Sequence, residues 1–330
     1  MTLAQVSGVL TNGKVSRSLP LVTELQRSLP KGGAGDSLVV QMANLAIETA
    51  KTLGEPTVVA LDAYFCSEKA WAVIDKKLTA NGERLVEIVT RGQKNTVAYT
   101  VPQAPTVKRR GQPRKYGEKI VLRDLFSDMS RFTHTTMELY GKQTKLKYLC
   151  LDLIWKAVKK LVRFVLVETD GRQCILMSSN LTFDPKDIIT IYALRFKIEP
   201  SFNEQKNDVG SFDYHFWSAS LPKRKKWNCS VDSLAVNATA AARAAQSFVC
   251  LSTIATGILS LIAFSHSSEI WSSYSGWVKT IRSSVPSIAI VKSAFASSFH
   301  DFLPALSHLR VFRFFKPLLR KSDFLFSHLA

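Results

Sequence analysis

The chain is short of the residues from which metal cages and covalent staples are built. Its 330 residues include only five cysteines, Cys66, Cys150, Cys174, Cys229 and Cys250, scattered without a CxxC pair. That spacing offers neither a zinc ribbon nor a disulfide framework, and it suits a reducing cytoplasm. The six histidines, His134, His215, His266, His300, His308 and His328, form no HxxxH or HExxH pattern, which removes the common histidine metal sites. No G-x-x-x-x-G-K-[ST] loop occurs, so nothing points to nucleotide hydrolysis as a driving step. Acid is scarce as well: 26 Asp and Glu face 44 Lys and Arg, a net charge of +18. Such an excess implies a polyanionic partner, with nucleic acid the first candidate and an anionic membrane the second.

Apolar material is plentiful. Hydrophobic residues make up 46% of the chain, enough for a packed core, which excludes a disordered tail. The first thirty residues lack an uninterrupted apolar stretch after a basic start, which argues against a signal peptide. Ala244 to Phe264 carries no charge over 21 residues, about the length that spans a bilayer. Gln246, Ser247, Ser252, Thr253, Thr256, Gly257 and Ser260 lower its hydropathy, so a buried helix is the expected reading and a membrane span the alternative.

Periodicity and punctuation predict strands at 4–11 and 19–25, then a helix from Ser37 to Leu53 stopped by Gly54. A strand at 57–62 and a helix from an N-cap at Ser67 to about Ala80, stopped by Asn81-Gly82, come next, followed by a strand over Leu85–Thr90. The segment 91–183 has β-like runs at 96–101, 145–154, 161–168 and 173–180, with turns at Lys159-Lys160 and Asp170-Gly171. Asp184-Pro185 then opens a helix, Asp at the N-cap and Pro at the first helical position.

That helix carries the most informative stretch. Tyr192, Arg195, Glu199 and Lys206 are spaced by three, four and seven residues, so one helix would project all four from one side. A carboxylate flanked by cations suits metal-dependent phosphoryl transfer, the acid holding an ion and the bases a phosphate. An ordinary amphipathic helix with solvated charges explains the same spacing. Pro200 predicts a kink beside Glu199, because it removes a helix hydrogen bond and clashes with the carbonyl of Phe196. Upstream, Glu55 to Asp62 reads as a short buried strand ended by an acid. Asp62 either points into the crevice at the carboxyl end of a central strand or caps the turn that follows. Asp36, after the Gly-rich Lys31–Gly35, reads as a helix N-cap rather than a metal ligand.

Two basic clusters are candidate DNA contacts. Lys108, Arg109, Arg110, Arg114 and Lys115 are interleaved with Gly and Pro, which favours an extended segment for phosphate contact; the run resembles a minor-groove hook with Gln112 in place of an Arg. Lys223, Arg224, Lys225 and Lys226 form either a phosphate clamp or a solvated basic loop. The tail from Arg310 to Arg320 alternates cations with Phe and Leu, as an amphipathic helix broken at Pro317 would.

The spacing Tyr-x2-Arg-x3-Glu-x6-Lys resembles the signature around the third acid of DDE transposases from bacterial insertion sequences. Asp62, followed by Ala63-Tyr64-Phe65, matches the second acid of that family. Thr90-Arg91 with Asn95 and Val97-Ala-Tyr99, Arg109–Gly117, Leu149–Trp155, Val162–Val167, Tyr214–Trp217 and Trp277–Arg282 extend the likeness over about residues 1 to 305. The resemblance implies an α/β fold: an RNase H-like transposase core, partial and lacking its first strand, with a β-rich insertion and a helical C-terminal region. The corresponding boundaries are 1–90 for the partial core, 91–183 for the insertion, 184–230 for the signature helix and basic loop, and 231–330 for the helical region.

The resemblance further implies cut-and-paste transposition by two-metal phosphodiester cleavage and strand transfer. Asp62 and Glu199 would ligate Mg2+ or Mn2+, Arg195 and Lys206 would hold phosphates, and Tyr192 would position DNA. Implied partners are transposon-end and target DNA, a second copy, or a full-length transposase, in the nucleoid-associated bacterial cytoplasm. The family's first Asp lies upstream of the part that begins this chain, and no Asp precedes Asp36. The expectation is therefore a truncated, inactive chain, with a noncatalytic DNA-binding remnant or transposase inhibitor as the alternative.

Overall fold

The computed structural model describes residues 2–12, 15–26, 36–79, 82–103, 114–213, 235–277 and 285–302. They belong to two compact units, Met1–Ile254 and Ala255–Ala330. The first unit is mixed α/β. It opens with an antiparallel hairpin, β1 (Thr2–Thr11) and β2 (Ser16–Gln26), whose register shifts between Val6 and Ser7. The shift falls opposite Pro20, which has no N–H for the ladder, so the strand bulges there instead of losing a pair in mid-ladder.

Helix α1 (Leu38–Leu53) buries Ala43, Ala46, Ile47 and Ala50, one stripe at helical spacing. Gly54 ends it at φ +75°, a left-handed conformation that glycine adopts without a Cβ penalty, and its N–H bonds back to Ala50 and Lys51. The N-cap is Ser37. Asp36 stands one position earlier, where its main-chain carbonyl accepts from Gln41, so the N-cap expected at Asp36 is displaced by one residue.

Strand β3 (Thr57–Leu61) leads through a 3₁₀ turn, Ala63–Phe65, to α2 (Glu68–Ile74), with Ser67 accepting from the Ala70 N–H as its cap. Helix α2 stops well short of Ala80. Asp75 is held by Arg84 at 2.9 Å and Lys160 at 2.7 Å, and Leu78 bridges to Arg84, so tertiary partners turn the chain before Asn81-Gly82 is reached. Strand β4 (Val86–Arg91) runs parallel to β3, and β5 (Val97–Tyr99), β6 (Lys119–Val121), β7 (Thr133–Leu139), β8 (Lys142–Trp155), β9 (Lys160–Thr169) and β10 (Arg172–Ser178) follow.

These eight strands make one mixed sheet in the order β3-β4-β10-β9-β8-β5-β6, with β7 paired to β8. The strands of 91–183 therefore continue the sheet that β3 and β4 begin, through the β10–β4 pairing. Left-handed Asp170 and Gly171 close the tight β9–β10 turn, and Tyr140 and Gly141 do the same between β7 and β8. Among the described residues β3 pairs only with β4 and is the terminal strand, so there Asp62 does not end a central strand as its apolar sequence led one to expect.

The sheet buries both faces, which is why its central strands carry the apolar runs Phe164–Val167 of β9 and Cys174–Met177 of β10. On one side Ile88, Phe164, Leu166 and Met177 meet Ile47 of α1 and Trp71 and Ile74 of α2. On the other, Val89, Val165 and Leu176 meet Ile188 and Ile189 of α3 (Pro185–Leu194). Asp184 caps α3 by accepting from the Lys186 N–H, with Pro185 next, as the dipeptide predicted.

Beyond α3 come α4 (Ile198–Glu204), α5 (Ala235–Ser265), α6 (Ser267–Ser273) and α7 (Ile288–Phe302). Among the described residues one helix, Ala241–Ser265 within α5, is long and apolar enough to cross a membrane. Two of its polar side chains, Gln246 and Thr253, pair with β2 within the first unit. Gln246 accepts from the Leu25 N–H at 2.6 Å and donates to the Thr23 carbonyl at 2.8 Å, so one amide side chain pairs with the backbone of β2. Thr253 Oγ1 lies 2.9 Å from Thr23 Oγ1.

Candidate functional site

Asp62 follows directly on β3. Its Oδ1 accepts from the Tyr64 N–H at 2.6 Å, which makes it the cap of the 3₁₀ turn, while its main-chain carbonyl accepts from Thr90 Oγ1 at 2.8 Å. The parallel neighbour β4 thus supplies the hydroxyl that pins the end of β3. The carboxylate is exposed, and among the described residues its second oxygen accepts no hydrogen bond. Capping and site roles are therefore compatible: one oxygen orients the group and the other faces solvent.

Tyr192 reaches the same corner from α3. Burial pushes its phenol above the ordinary tyrosine range, and the nearby Arg195 and Arg91 oppose that rise. Cys174 and Asp62 also lie within electrostatic reach of the phenol. The Arg195 guanidinium stands 5.8 Å from the Tyr192 ring centroid, a cation–π contact. Helix α3 packs against β3 and β4, which places Tyr192 and its neighbour Arg195 near the strand ends that carry Asp62 and Arg91.

Glu199 is differently placed. Its side chain is 56% exposed, and its one ion pair among the described residues is with Arg195, at 3.9 Å. Lys206 is exposed and forms no ion pair with a described residue. The single uniform helix expected for the signature is not formed. The chain leaves α3 at Leu194, tightens into a 3₁₀ turn over Arg195–Lys197, resumes as α4, and widens into a π turn over Gln205–Val209 ended by Gly210 at φ +74°. Pro200 accounts for the first break. With α4 starting at Ile198, the proline occupies its first turn, where a missing N–H costs nothing within the helix.

The second break comes from packing. Gln205 is fully buried and donates to Gln5 of β1 at 3.1 Å, and Glu204 pairs with Arg17 of β2. Docking on the hairpin holds this segment, and the π turn carries Lys206 out of the phase that a regular helix would keep. Tyr192, Arg195 and Glu199 remain in series, and Lys206 does not share their face by simple periodicity.

Of the basic clusters, Arg114 and Lys115 are exposed, whereas Lys108, Arg109, Arg110 and Lys223, Arg224, Lys225 and Lys226 lie outside the described residues. Lys31–Gly35, Tyr214–Trp217 and Arg310–Arg320 also lie outside them. Among the described residues no group of three or more His, Cys, Asp and Glu side chains is placed to hold a metal ion. Two exposed carboxylates, Asp62 and Glu199, suit a hard cation in kind, since Mg2+ sites often use one or two carboxylates with waters and substrate phosphate. Sequence reasoning did not single out Thr90 and Arg91 as site residues; the available signal was a polar pair closing the strand that follows the strand of Asp62. Compared with known proteins, the chain matches no family model and no curated protein sequence.

Proposed function

We propose that this chain is a transposase-like DNA-binding protein built on an RNase H-like core, and that the corner of Asp62, Tyr192, Arg195 and Glu199 engages a phosphodiester for cleavage and strand transfer. The observation that carries the reading is the convergence of Asp62 from the end of β3 with Tyr192 and Arg195 from α3, the residues that the two motifs pick out separately. The parallel β3–β4 pair, the α2 crossover between them, α3 on the opposite face and the preceding hairpin support the RNase H-like reading.

Each residue has a defined part. Arg195 donates to non-bridging phosphate oxygens, and its planar fork suits that geometry better than a lysine would. Lys206, unpaired among the described residues, adds a second point charge along the backbone. Tyr192 offers an edge and a hydroxyl against the sugar-phosphate chain. Asp62 and Glu199 would hold Mg2+ or Mn2+, which when bound would polarise the phosphate and lower the pKa of an attacking water. In cleavage, water attacks phosphorus in line, gives up its proton, and the DNA 3′ oxygen leaves and is protonated to a 3′ hydroxyl; in strand transfer that 3′ hydroxyl attacks a phosphodiester of the target strand, whose own 3′ oxygen leaves with the proton.

A second reading, DNA binding without catalysis, is favoured by the absence of a three-carboxylate group among the described residues. Cleavage of labelled DNA in Mg2+ or Mn2+ separates the two. Activity abolished by both Asp62→Asn and Glu199→Ala establishes the cleaving reading. Salt-dependent DNA binding with no cleavage establishes the noncatalytic one, and a chain that neither binds nor cuts DNA overturns both.

A further inference from the structure

A cavity of about 560 Å³ opens beside the candidate site. Arg91 from the end of β4, Lys94 from the turn after it, Arg123 from the 3₁₀ segment Leu122–Ser127 and Arg172 from the start of β10 line it, and no carboxylate does. Four cations in one concavity repel one another, an arrangement that is costly unless an anion relieves it. Arg91, Lys94 and Arg172 form no ion pair with a described residue, and Arg123 has only a 3.8 Å contact to exposed Asp124. The wall is shaped by backbone. A Cβ on Gly92 would come within 3.1 Å of Thr96 Oγ1 and 3.2 Å of Met177 Sδ, so glycine lets the turn close tightly behind Arg91. Arg91 and Cys174 line the cavity and also lie within reach of Tyr192, so the cavity and the site adjoin.

We infer that this cavity is a binding subsite for the phosphodiester backbone of a nucleic-acid strand entering or leaving the Asp62–Tyr192 corner. The inference rests on the nucleic-acid reading above and adds Lys94, Arg123 and Arg172, which belong to neither motif nor basic cluster. The cations come from three separate chain segments around an open concavity, a form suited to successive backbone phosphates. Each contact releases condensed counterions, so its signature is the salt dependence of binding.

The test measures binding of a single-stranded oligonucleotide in EDTA against salt concentration. Arg123→Gln/Arg172→Gln removes two exposed cations of the cavity, and Lys145→Gln/Lys186→Gln removes two exposed cations that do not line it. The cavity pair is expected to flatten the slope of log K against log salt by about 1.4, at about 0.7 per phosphate contact, and to weaken binding about tenfold at low salt. The control pair is expected to change the slope by less than half of that. Equal effects of the two pairs would overturn the inference in favour of diffuse charge. Displacement of the oligonucleotide by inorganic phosphate at matched phosphate concentration would overturn it in favour of a small-anion site. An unchanged cavity variant would overturn the inference while cleavage dependent on Asp62 and Glu199 still stood; loss of all nucleic-acid binding in the parent chain would remove the inference and the functional reading together.

Discussion

The wall that carries Asp62 and the segmented helix that carries Glu199 hold their carboxylates in opposite ways. Asp62 sits where β3 meets β4, with its carbonyl bonded to Thr90 and one carboxylate oxygen bonded to the Tyr64 N–H, behind a sheet buried on both faces. Glu199 stands in the first turn of a seven-residue helix, more than half exposed, with a single long ion pair to Arg195. The difference teaches that one carboxylate is oriented by the backbone around it, while the other relies on a single solvated side-chain partner.

Breaking the wall itself is the severest test. Phe164 is fully buried at the centre of the sheet, and Phe164→Ala is expected to cost about 3–5 kcal/mol, visible in urea or thermal melts. Phe196, half exposed within the 3₁₀ turn and in edge contact with Tyr140, is expected to cost no more than about 1 kcal/mol on the same substitution. Equal losses would mean that the helix segment is as tightly packed as the wall.

Asp62 separates capping from chemistry. Asp62→Asn keeps an oxygen for the Tyr64 N–H, so its melt is expected to match the parent while metal-dependent cleavage falls at least about 100-fold; Asp62→Ala should also lose about 1 kcal/mol. A fully active Asn variant would reduce Asp62 to a cap. Thr90→Val removes the hydroxyl that anchors the Asp62 carbonyl and is expected to cost about 1 kcal/mol by denaturant titration. On the helix side, Arg195→Gln should shift stability by less than about 0.5 kcal/mol, because the 3.9 Å pair to Glu199 is solvated, yet it should weaken DNA binding.

The smallest effect at neutral pH comes from Cys66, whose thiol burial pushes up to about 11, beyond the unfolded-chain value. The native state keeps its proton where the unfolded chain has lost it, so this contribution is intact below about pH 8.5 and lost as pH rises toward about 11. Melts across that range should show the decline, and Cys66→Ala should reduce it. A thiol that reacts at the rate of a free cysteine at pH 8 would contradict the burial.

Much of the wall was legible in advance. The strands around 57–62, 85–90, 145–154, 161–168 and 173–180 all formed, because each carries enough apolar residues to mark it even where polar ones intervene. Asp170-Gly171, Asp184-Pro185 and Gly54 acted locally, through left-handed backbone or a missing N–H, and each formed where its chemistry required. Strand β7 was not legible: Thr133–Leu139 is mostly polar and lies outside the main strand path, so no apolar run marks it. The site was half legible. The spacing of Tyr192, Arg195, Glu199 and Lys206 foretold helical turns but not their segmentation, because the contacts of Gln205 with Gln5 and Glu204 with Arg17 lie outside any local rule.

By itself the sequence determined the caps, the turns, the apolar runs of β9 and β10, and the strong positive charge, since each depends on residues within a few positions or on plain counting. Tertiary structure alone decided that β3 ends its sheet, that the signature splits into 3₁₀, α and π turns, and that Arg91, Lys94, Arg123 and Arg172 share one cavity. Those outcomes depend on which distant backbone and side-chain groups satisfy one another once the apolar faces are buried, and that choice is made by the whole packed chain rather than by any one segment.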